Sequence, residues 1–421
     1  MRIASVEAFA LRVRDPAARA YWGSQAWASG LGGANGGRGS GTPSPDDRPR
    51  TEPEAYPPRW RMRASYSDTL NTVIVRITAD TGLVGYGEAK APVAPEATRE
   101  IVRDLLTPVV VGADPLDIDV LWERMYGTMR LRGHASGFLL EAISGVDLAL
   151  WDLAGKALGV PVCKLLGGAY RDRVPVYASG LPGLKRADDQ AARAGLQQAA
   201  RALAAAGFRA IKLAIGFGVE IDAETVRAVR EAVGADIRLL ADAAGNYDVA
   251  SAGRLGRILQ DLGVGWLEAP LPPEHVDGHA ELARALDLPI ATDLLTTRYQ
   301  VREFLVRGAL DIVQPDVCRS GGLTECRRIA HLADTFGAGL APHVSIGSAV
   351  QFAASAHLAA AVPNTVVMEY WIGENPIGNP VLRRPLVLDG GSLVVPSGPG
   401  FGLDIDEAAL LRHATRSEGS A

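Results

Sequence analysis

From residue 174 onward, short runs of apolar residues alternate with helical segments. Eight such runs occur, at 174–177, 210–213, 237–241, 264–267, 288–292, 310–314, 338–341 and 366–368. The segments between them, such as 191–206 and 323–336, have apolar positions at helical spacing. Parallel strands that are buried on both faces read as continuous apolar runs. The pattern therefore predicts an α/β fold, a (β/α)8-type barrel of the modified TIM kind over 171–384.

The first part of the chain has a different pattern. Residues 72–77 and 83–87 read as two strands around a glycine turn, and a helical pattern follows from 95 to 159. A strand pair followed by helices predicts an α+β domain, which we place at 1–170. The segment from about 28 to 58 is rich in Gly, Ser and Pro and is predicted to be a long flexible loop.

Composition narrows the class of protein. A chain of 421 residues is long enough for two domains. A net charge of -5 gives no reason to expect a nucleic-acid partner, and no apolar run is long enough to span a bilayer. The apolar stretch 6–11 is interrupted by Arg12 and Arg14, so no signal peptide is predicted. Three cysteines without CxxC spacing suggest neither disulfides nor zinc, and a cytoplasmic protein is expected.

Titratable side chains recur at the ends of the apolar runs. They are Lys212, Asp242, Glu268, Asp293, Asp316, His343 and Glu369, spaced 30, 26, 25, 23, 27 and 26 residues apart by subtraction. The carboxyl ends of barrel strands meet on one face, where barrel active sites lie. One polar strand end is common, because strand ends approach water. Seven in succession predict a single active site.

Three of these residues form a candidate metal site. Asp242, Glu268 and Asp293 close consecutive runs and would repel one another in a shared cleft. A divalent cation removes that repulsion, and hard carboxylate ligands favour Mg²⁺ or Mn²⁺ over zinc. The alternative is that the three carboxylates cap the helices that follow them. No organic cofactor is predicted, because no glycine-rich nucleotide motif follows a strand.

The other four are candidates for proton transfer. His343 is a candidate base, because histidine is the usual base near neutral pH, and Asp316 could bond to its other ring nitrogen. Glu369 would suit a general acid. Lys212 could act as a base or as an electrostatic partner of the carboxylates. The alternative for each is a structural role, as a satisfied core histidine, a salt-bridged strand end or a lysine at the barrel rim.

Several longer motifs point to a known family. They are SGVDLALWD at 144–152, KLLGG at 164–168, IKL at 211–213, WLE at 266–268, QPD at 314–316, GG at 321–322, APH at 341–343 and IGENP at 372–376. Together they resemble the enolase superfamily, in its mandelate racemase/muconate lactonizing enzyme-like branch of acid-sugar dehydratases.

The resemblance implies an N-terminal α+β capping domain, completed by the segment 385–421, that closes over the barrel mouth. It implies that the loop at about 28–58 is a lid that excludes water. It also implies that Asp242, Glu268 and Asp293 bind Mg²⁺, that His343 and Asp316 form a base dyad, and that Glu369 is the acid. The expected partner is a small carboxylate, a sugar acid, and the chain is expected to form a homo-oligomer.

The sequence also departs from the family pattern. The usual second lysine of strand two, a base on the opposite face, is replaced by Ala214. Ala244 and Ala269 stand where relatives carry polar residues, and Asp293 replaces a glutamate that is one methylene longer. A two-base racemase would lack one base, so the sequence favours one-base elimination.

Four functions are compatible with the sequence. The leading hypothesis is a lyase that dehydrates a sugar acid through an enediolate. A cycloisomerase of a sugar lactone or anhydro-sugar acid would use the same intermediate and expel a ring oxygen. A racemase or epimerase is the third alternative. The fourth is a catalytically silent sugar-acid-binding protein, which the three alanine replacements suggest.

Overall fold

The computed structural model describes residues 1–13, 69–373 and 375–415. The N-terminal part is an antiparallel sheet of β1 (Ile3–Val13), β2 (Leu70–Ala79) and β3 (Val84–Lys90), in that order. The two predicted strands are β2 and β3, and β1 is an additional strand that pairs with β2. The predicted lid at 28–58 lies outside the described residues.

Helices pack against this sheet. They are α1 (Pro95–Glu100), a π-helical segment (Ile101–Leu106), α2 (Thr107–Val110), α3 (Ile118–Arg130), α4 (Phe138–Leu158) and α5 (Val162–Leu165). The long helix α4 contributes most of the buried face, since sixteen of its 21 residues are buried. An α+β arrangement is therefore present, as the pattern of strands followed by helices predicts.

The barrel strands follow. They are β4 (Arg173–Pro182), β5 (Ala210–Ala214), β6 (Arg238–Asp242), β7 (Val264–Glu268), β8 (Ile290–Thr292), β9 (Ile312–Val313), β10 (Gly339–Leu340) and β11 (Met368–Trp371). Each predicted apolar run overlaps one of them. Neighbours from β4 to β10 pair in parallel, and β11 pairs with β4. A parallel bridge between Leu340 and Thr365 links β10 to the segment before β11.

Seven helices accompany these strands. They are α6 (Gln190–Ala205), α7 (Val219–Val233), α8 (Val249–Asp261), α9 (Val276–Ala285), α10 (Arg298–Val306), α11 (Gly322–Thr335) and α12 (Ala349–Ala361). Within the described part of the chain, no helix is long and apolar enough to cross a membrane. The alternation of strand and helix is the one that the apolar runs predict.

Eight buried side chains fill the barrel interior, one from each strand or from the residue beside it. They are Tyr177, Ala210, Leu240, Trp266, Ala291, Ile312, Ala341 and Val367. Because side chains along a strand alternate between two faces, the next inward-facing residue lies two positions further on. This register places the candidate residues in the barrel mouth.

Helix α4 joins the N-terminal domain to the barrel through its SGVDLALWD motif. The Ser144 hydroxyl accepts a hydrogen bond from the Gly321 backbone N–H at 2.8 Å. The Asp147 carboxylate accepts from the Thr324 backbone N–H at 3.1 Å and hydroxyl at 2.6 Å. Gly322 has a φ of +85°, and a Cβ there would lie 2.1 Å from the Asp147 carboxylate. The motif therefore needs the Gly-Gly pair that starts α11.

The C-terminal segment returns to the N-terminal sheet. It holds a 3-10 turn (Asn379–Val381), a hairpin of β12 (Leu388–Asp389) and β13 (Ser392–Val394), and α13 (Glu407–Leu411). Strand β13 pairs with β4, and Glu407 bonds to Arg76 and Tyr86 of the N-terminal sheet. The domain limits 1–170, 171–384 and 385–421 stay predictions.

The close approach of β3 to α4 gives a stability prediction. A Cβ at Gly87 would lie 2.0 Å from the Gly145 backbone oxygen, and neither backbone can move easily. We expect Gly87→Ala to lower the free energy of unfolding by about 1–3 kcal/mol, since overpacked sites cost that much. Thermal and urea unfolding, followed by circular dichroism, measure the change.

Gly127 of α3 provides the matched control. A Cβ there meets nothing within 4 Å, so Gly127→Ala should stabilise the protein by about 0.5–1 kcal/mol through the helix preference of alanine. If both variants unfold at the same midpoint, the close packing of β3 on α4 is wrong.

Candidate active site

Six of the seven candidate residues occupy the inward positions immediately above the barrel interior. Lys212, Asp242, Glu268, Asp293, His343 and Glu369 each lie two residues after a member of the interior set. On β9 the equivalent position belongs to Gln314, a buried residue that sequence analysis missed. Asp316 lies two residues further on, so on this strand the titratable residue lies beyond the inward position that the other six occupy.

The mouth holds an acidic group of four residues, Asp242, Glu268, Asp293 and Glu369, and Lys212 contacts three of them. Its ammonium is 2.8 Å from Glu268 Oε1, 3.0 Å from Glu369 Oε1 and 3.3 Å from Asp242 Oδ2. Burial lowers the pKa of Lys212, but the surrounding carboxylates, Glu268 first, raise it well above its usual value. Lys212 is therefore a cation, and its contacts favour an electrostatic role over that of a base.

Asp242 and Glu268 end neighbouring strands and lie in register. Asp242 Oδ1 accepts the Ala244 backbone N–H at 3.0 Å, and Glu268 Oε2 accepts the Trp266 indole N–H at 3.1 Å. Burial raises the pKa of both carboxyl groups, and repulsion from Asp293 raises both further. The single ammonium of Lys212 leaves this crowding only partly compensated.

The chemistry of these side chains suits a hard divalent cation. All three acidic side chains offer oxygen, which suits Mg²⁺, and a bound cation would relieve the repulsion between them. In the described ranges, no three Asp, Glu, His or Cys side chains already converge at metal-ligand spacing. Asp293 Oδ2 lies 3.5 Å from His343 Nε2 and 3.6 Å from Arg319 Nη1, on the histidine side of the mouth. Its role as third ligand stays a prediction.

The backbone turns sharply after both central carboxylates. Ala244 has a φ of +49° and Ala269 a φ of +42°, a left-handed conformation that costs a non-glycine residue about 1–3 kcal/mol. The Ala269 carbonyl accepts the Gly245 N–H at 2.7 Å, so the two turns support each other. Two of the three alanine departures from the family pattern thus coincide with strained backbone beside the candidate ligands.

His343 and Asp316 form a hydrogen-bonded pair. His343 Nδ1 lies 2.9 Å from Asp316 Oδ2. Because an ionised carboxylate only accepts, Nδ1 carries the proton and Nε2 is left as the basic nitrogen. Nε2 lies 3.5 Å from both Glu369 Oε2 and Asp293 Oδ2 and so faces the acidic group. The structure brings the predicted dyad together in the orientation that a base requires.

Glu369 is held as an anion. Its Oε1 contacts Lys212, its Oε2 accepts the Val344 backbone N–H at 2.9 Å, and Ser179 also bonds to it. Burial would raise the pKa of Glu369, but the charge of Lys212 lowers it below the usual value. These contacts suit an orienting carboxylate better than a resting proton donor.

Lys90 is a further residue of the site that the sequence pattern did not predict. Its ammonium lies 3.1 Å from Asp316 Oδ2, although it ends a strand of the N-terminal sheet. A signal was available: Glu88 and Lys90 lie on the same face of β3, and charged residues are unusual in a strand whose last four positions are all buried.

Position 214, at the end of β5, carries alanine and not a second lysine. Ala214 is in register with Asp242 at the end of its strand, on the side of the mouth that Lys212 occupies. A methyl group cannot transfer a proton, so no base extends from this position. Among the candidate residues, His343 is the one whose free ring nitrogen faces the acidic group.

Two family models match this chain. A family model described as "Enolase C-terminal domain-like" matches residues 195–409. A second, "Mandelate racemase / muconate lactonizing enzyme, N-terminal domain", matches residues 52–167.

Individual relatives span most of the chain. The D-galactarolactone cycloisomerase of Agrobacterium fabrum is 38% identical over 80% of this chain and 90% of its own. The arabinonate dehydratase of Saccharolobus solfataricus is 33% identical over 83% and 92%. A solved racemase from Streptomyces coelicolor with bound magnesium has a TM-score of 0.78 at 27% identity and covers 98% of this chain and 100% of its own. The chain therefore belongs to the enolase superfamily, in the mandelate racemase/muconate lactonizing enzyme-like branch that includes acid-sugar dehydratases.

Proposed function

We propose that the protein is a Mg²⁺-dependent dehydratase of a sugar acid. The observation that carries the proposal is the orientation of His343, whose Nε2 faces the acidic group while Nδ1 bonds to Asp316. The dehydratases among its relatives support this reaction, and arabinonate, D-xylonate and D-galactonate dehydratases all align with more than four fifths of this chain.

Asp242, Glu268 and Asp293 would hold the cation, and Lys212 would pair with the substrate carboxylate beside it. When bound, Mg²⁺ supplies the positive charge that stabilises the enediolate as it develops. Lys212 adds a second positive charge at the same end of the substrate, because it lies within 3.3 Å of Asp242 and Glu268, two of the residues that would hold the cation. Glu369 keeps the Lys212 ammonium in place.

Two proton movements complete the reaction. His343 Nε2 takes the proton from the carbon next to the carboxylate, and the electron pair forms the enediolate. The same imidazolium then gives its proton to the hydroxyl on the next carbon, which leaves as water. The resulting enol becomes a 2-keto-3-deoxy acid. Either His343 or Glu369 could supply this proton, and the geometry favours His343, because Glu369 is already occupied by Lys212 and Val344.

Cycloisomerisation is the second candidate. The similarity to D-galactarolactone cycloisomerase favours it. The chemistry differs in one bond: the oxygen that leaves would be the ring oxygen of a lactone or anhydro-sugar acid, and it would stay attached to the product. His343 would take the same proton in either case.

Incubation in heavy water separates these functions. Mg²⁺-loaded protein is mixed with a library of sugar acids, lactones and anhydro-sugar acids, and the products are followed by proton NMR. A 2-keto-3-deoxy acid supports dehydration, and an isomer opened at the ring oxygen supports cycloisomerisation. Deuterium entry without elimination supports a racemase or epimerase. No exchange with any compound would contradict enzymatic function and leave a sugar-acid-binding protein.

The setting of the enzyme is part of the proposal. We infer a cytoplasmic homo-oligomer whose partner is a small sugar acid. Cys163, Cys318 and Cys326 are buried free thiols, in keeping with a reducing compartment.

A further inference from the structure

We propose that Lys90, which belongs to the N-terminal domain, is a positioning residue for the His343–Asp316 dyad. The inference rests on the proposed function in so far as His343 is the base. It adds that the base is held in its working orientation by a side chain from outside the barrel.

Lys90 and His343 share one oxygen atom. The Lys90 ammonium lies 3.1 Å from Asp316 Oδ2, and His343 Nδ1 lies 2.9 Å from the same atom. The Lys90 ammonium also bonds to the Ser345 hydroxyl, two residues after His343. Lys90 thus contacts the loop that carries the base as well as the carboxylate that orients it.

The other oxygen of Asp316 is fixed from within the barrel. Oδ1 accepts the Cys318 backbone N–H at 2.8 Å and the Gln351 side-chain amide at 2.9 Å. Four donors therefore define the plane of the carboxylate. Of these four, Lys90 alone comes from the N-terminal sheet, and it alone donates from an ammonium group.

The end of β3 is docked firmly onto the barrel. The Lys90 backbone N–H donates to the Cys318 carbonyl at 2.9 Å. The buried Glu88 carboxylate accepts from the Ser348 backbone N–H and hydroxyl, at 2.9 Å and 2.7 Å. These bonds place the Lys90 side chain within reach of Asp316 and leave it little freedom to move.

Lys90 is a charged residue in a buried position, since it is only 8% exposed. Burying an ammonium costs free energy that an apolar chain of similar length would avoid. Burial would raise the pKa of Asp316, but Lys90, followed by the hydrogen bond from His343, lowers it below the usual range. The ammonium thus keeps Asp316 ionised and able to accept from His343 Nδ1.

Lys90→Met tests the proposal by kinetics. The outer partners of metal ligands are typically worth about 10- to 100-fold in affinity or activity, and we take the same range for the outer partner of a base. We therefore expect kcat on the substrate found above to fall by that factor, with KM changed by less than about threefold. Lys90→Arg, which keeps the charge, should recover part of kcat.

Lys156→Met is the matched control. Lys156 also belongs to the N-terminal domain, and its ammonium bonds to the buried Asp152 at 2.7 Å, away from the dyad. It should leave kcat within about twofold of the wild-type value. An equal loss of kcat in both variants would mean that Lys90 serves only stability, and the proposal would be overturned.

A spectroscopic measurement needs no substrate. In protein labelled with ¹⁵N-histidine, the Nδ1–H resonance of His343, assigned by its loss in His343→Asn, reports the bond to Asp316. We expect Lys90→Met to shift or broaden it and Lys90→Arg to restore it. An unchanged resonance overturns the proposal whether or not a sugar acid is turned over. If Lys90→Met does not fold, Ser345→Ala takes its place and should perturb the same resonance. An unchanged resonance in Ser345→Ala would also overturn the proposal.

Discussion

His343→Asn is expected to lower kcat for α-proton removal about 100- to 10,000-fold, the range that a positioned general base contributes. Asparagine is close in size to histidine and can still donate to Asp316, but it has no nitrogen at the position of Nε2. That nitrogen is the one that faces the acidic group, 3.5 Å from Asp293 and Glu369. The folded structure should survive while proton transfer is lost.

The measurement is the rate of deuterium entry next to the carboxylate, followed by NMR in heavy water. His331→Asn is the control, because His331 lies on the exposed side of α11. It should exchange at the wild-type rate. If His343→Asn keeps more than about a tenth of the wild-type rate, which is far above the expected range, another group is the base.

Glu268→Gln should have the second largest effect, through Mg²⁺ binding. The substitution keeps the shape of the side chain and the acceptor for Trp266 but removes one negative charge from the acidic group. Even the outer partners of metal ligands are worth about 10- to 100-fold in metal affinity. We therefore expect the dissociation constant for Mg²⁺ to rise by more than about 100-fold, because Glu268 is proposed to bind the cation directly.

Isothermal titration with Mg²⁺ measures the affinity, and the midpoint of thermal unfolding gives an independent reading. A ligand that binds the folded state raises its stability, so Mg²⁺ should raise the midpoint of the wild-type protein and not that of the variant. Glu274→Gln is the control, since Glu274 is an exposed carboxylate six residues away. Equal Mg²⁺ affinity in Glu268→Gln and wild-type protein would remove Glu268 from the metal site.

The two expected results address separate parts of the reaction. Loss of exchange in His343→Asn with intact Mg²⁺ binding would assign proton transfer to the dyad. Loss of Mg²⁺ binding in Glu268→Gln would assign charge stabilisation to the acidic group. Neither result distinguishes dehydration from cycloisomerisation, since both reactions begin with the same proton, and the product identified by NMR decides between them.

The sequence by itself determined the barrel and most of its chemistry. Apolar runs and helical periodicity are local signals, and all eight runs overlap strands. The spacing of Asp242, Glu268 and His343 then predicted their meeting, because strand ends in a barrel converge on one face. The alanine at position 214, in place of the usual second lysine, could also be recognised from the sequence, because alanine cannot act as a base in any fold. These features depend on short stretches of chain and on one general property of the fold.

Tertiary structure alone decided how the charges are paired. Lys90 contacts Asp316, which is 226 residues away in the sequence, and Lys212 contacts three carboxylates. On β9 it is Gln314, and not a titratable residue, that takes the inward position, and this too appeared only in the fold. Pairing of this kind depends on how separate elements pack in three dimensions. A local pattern of apolar and polar residues does not indicate which residues, far apart in the sequence, come into contact.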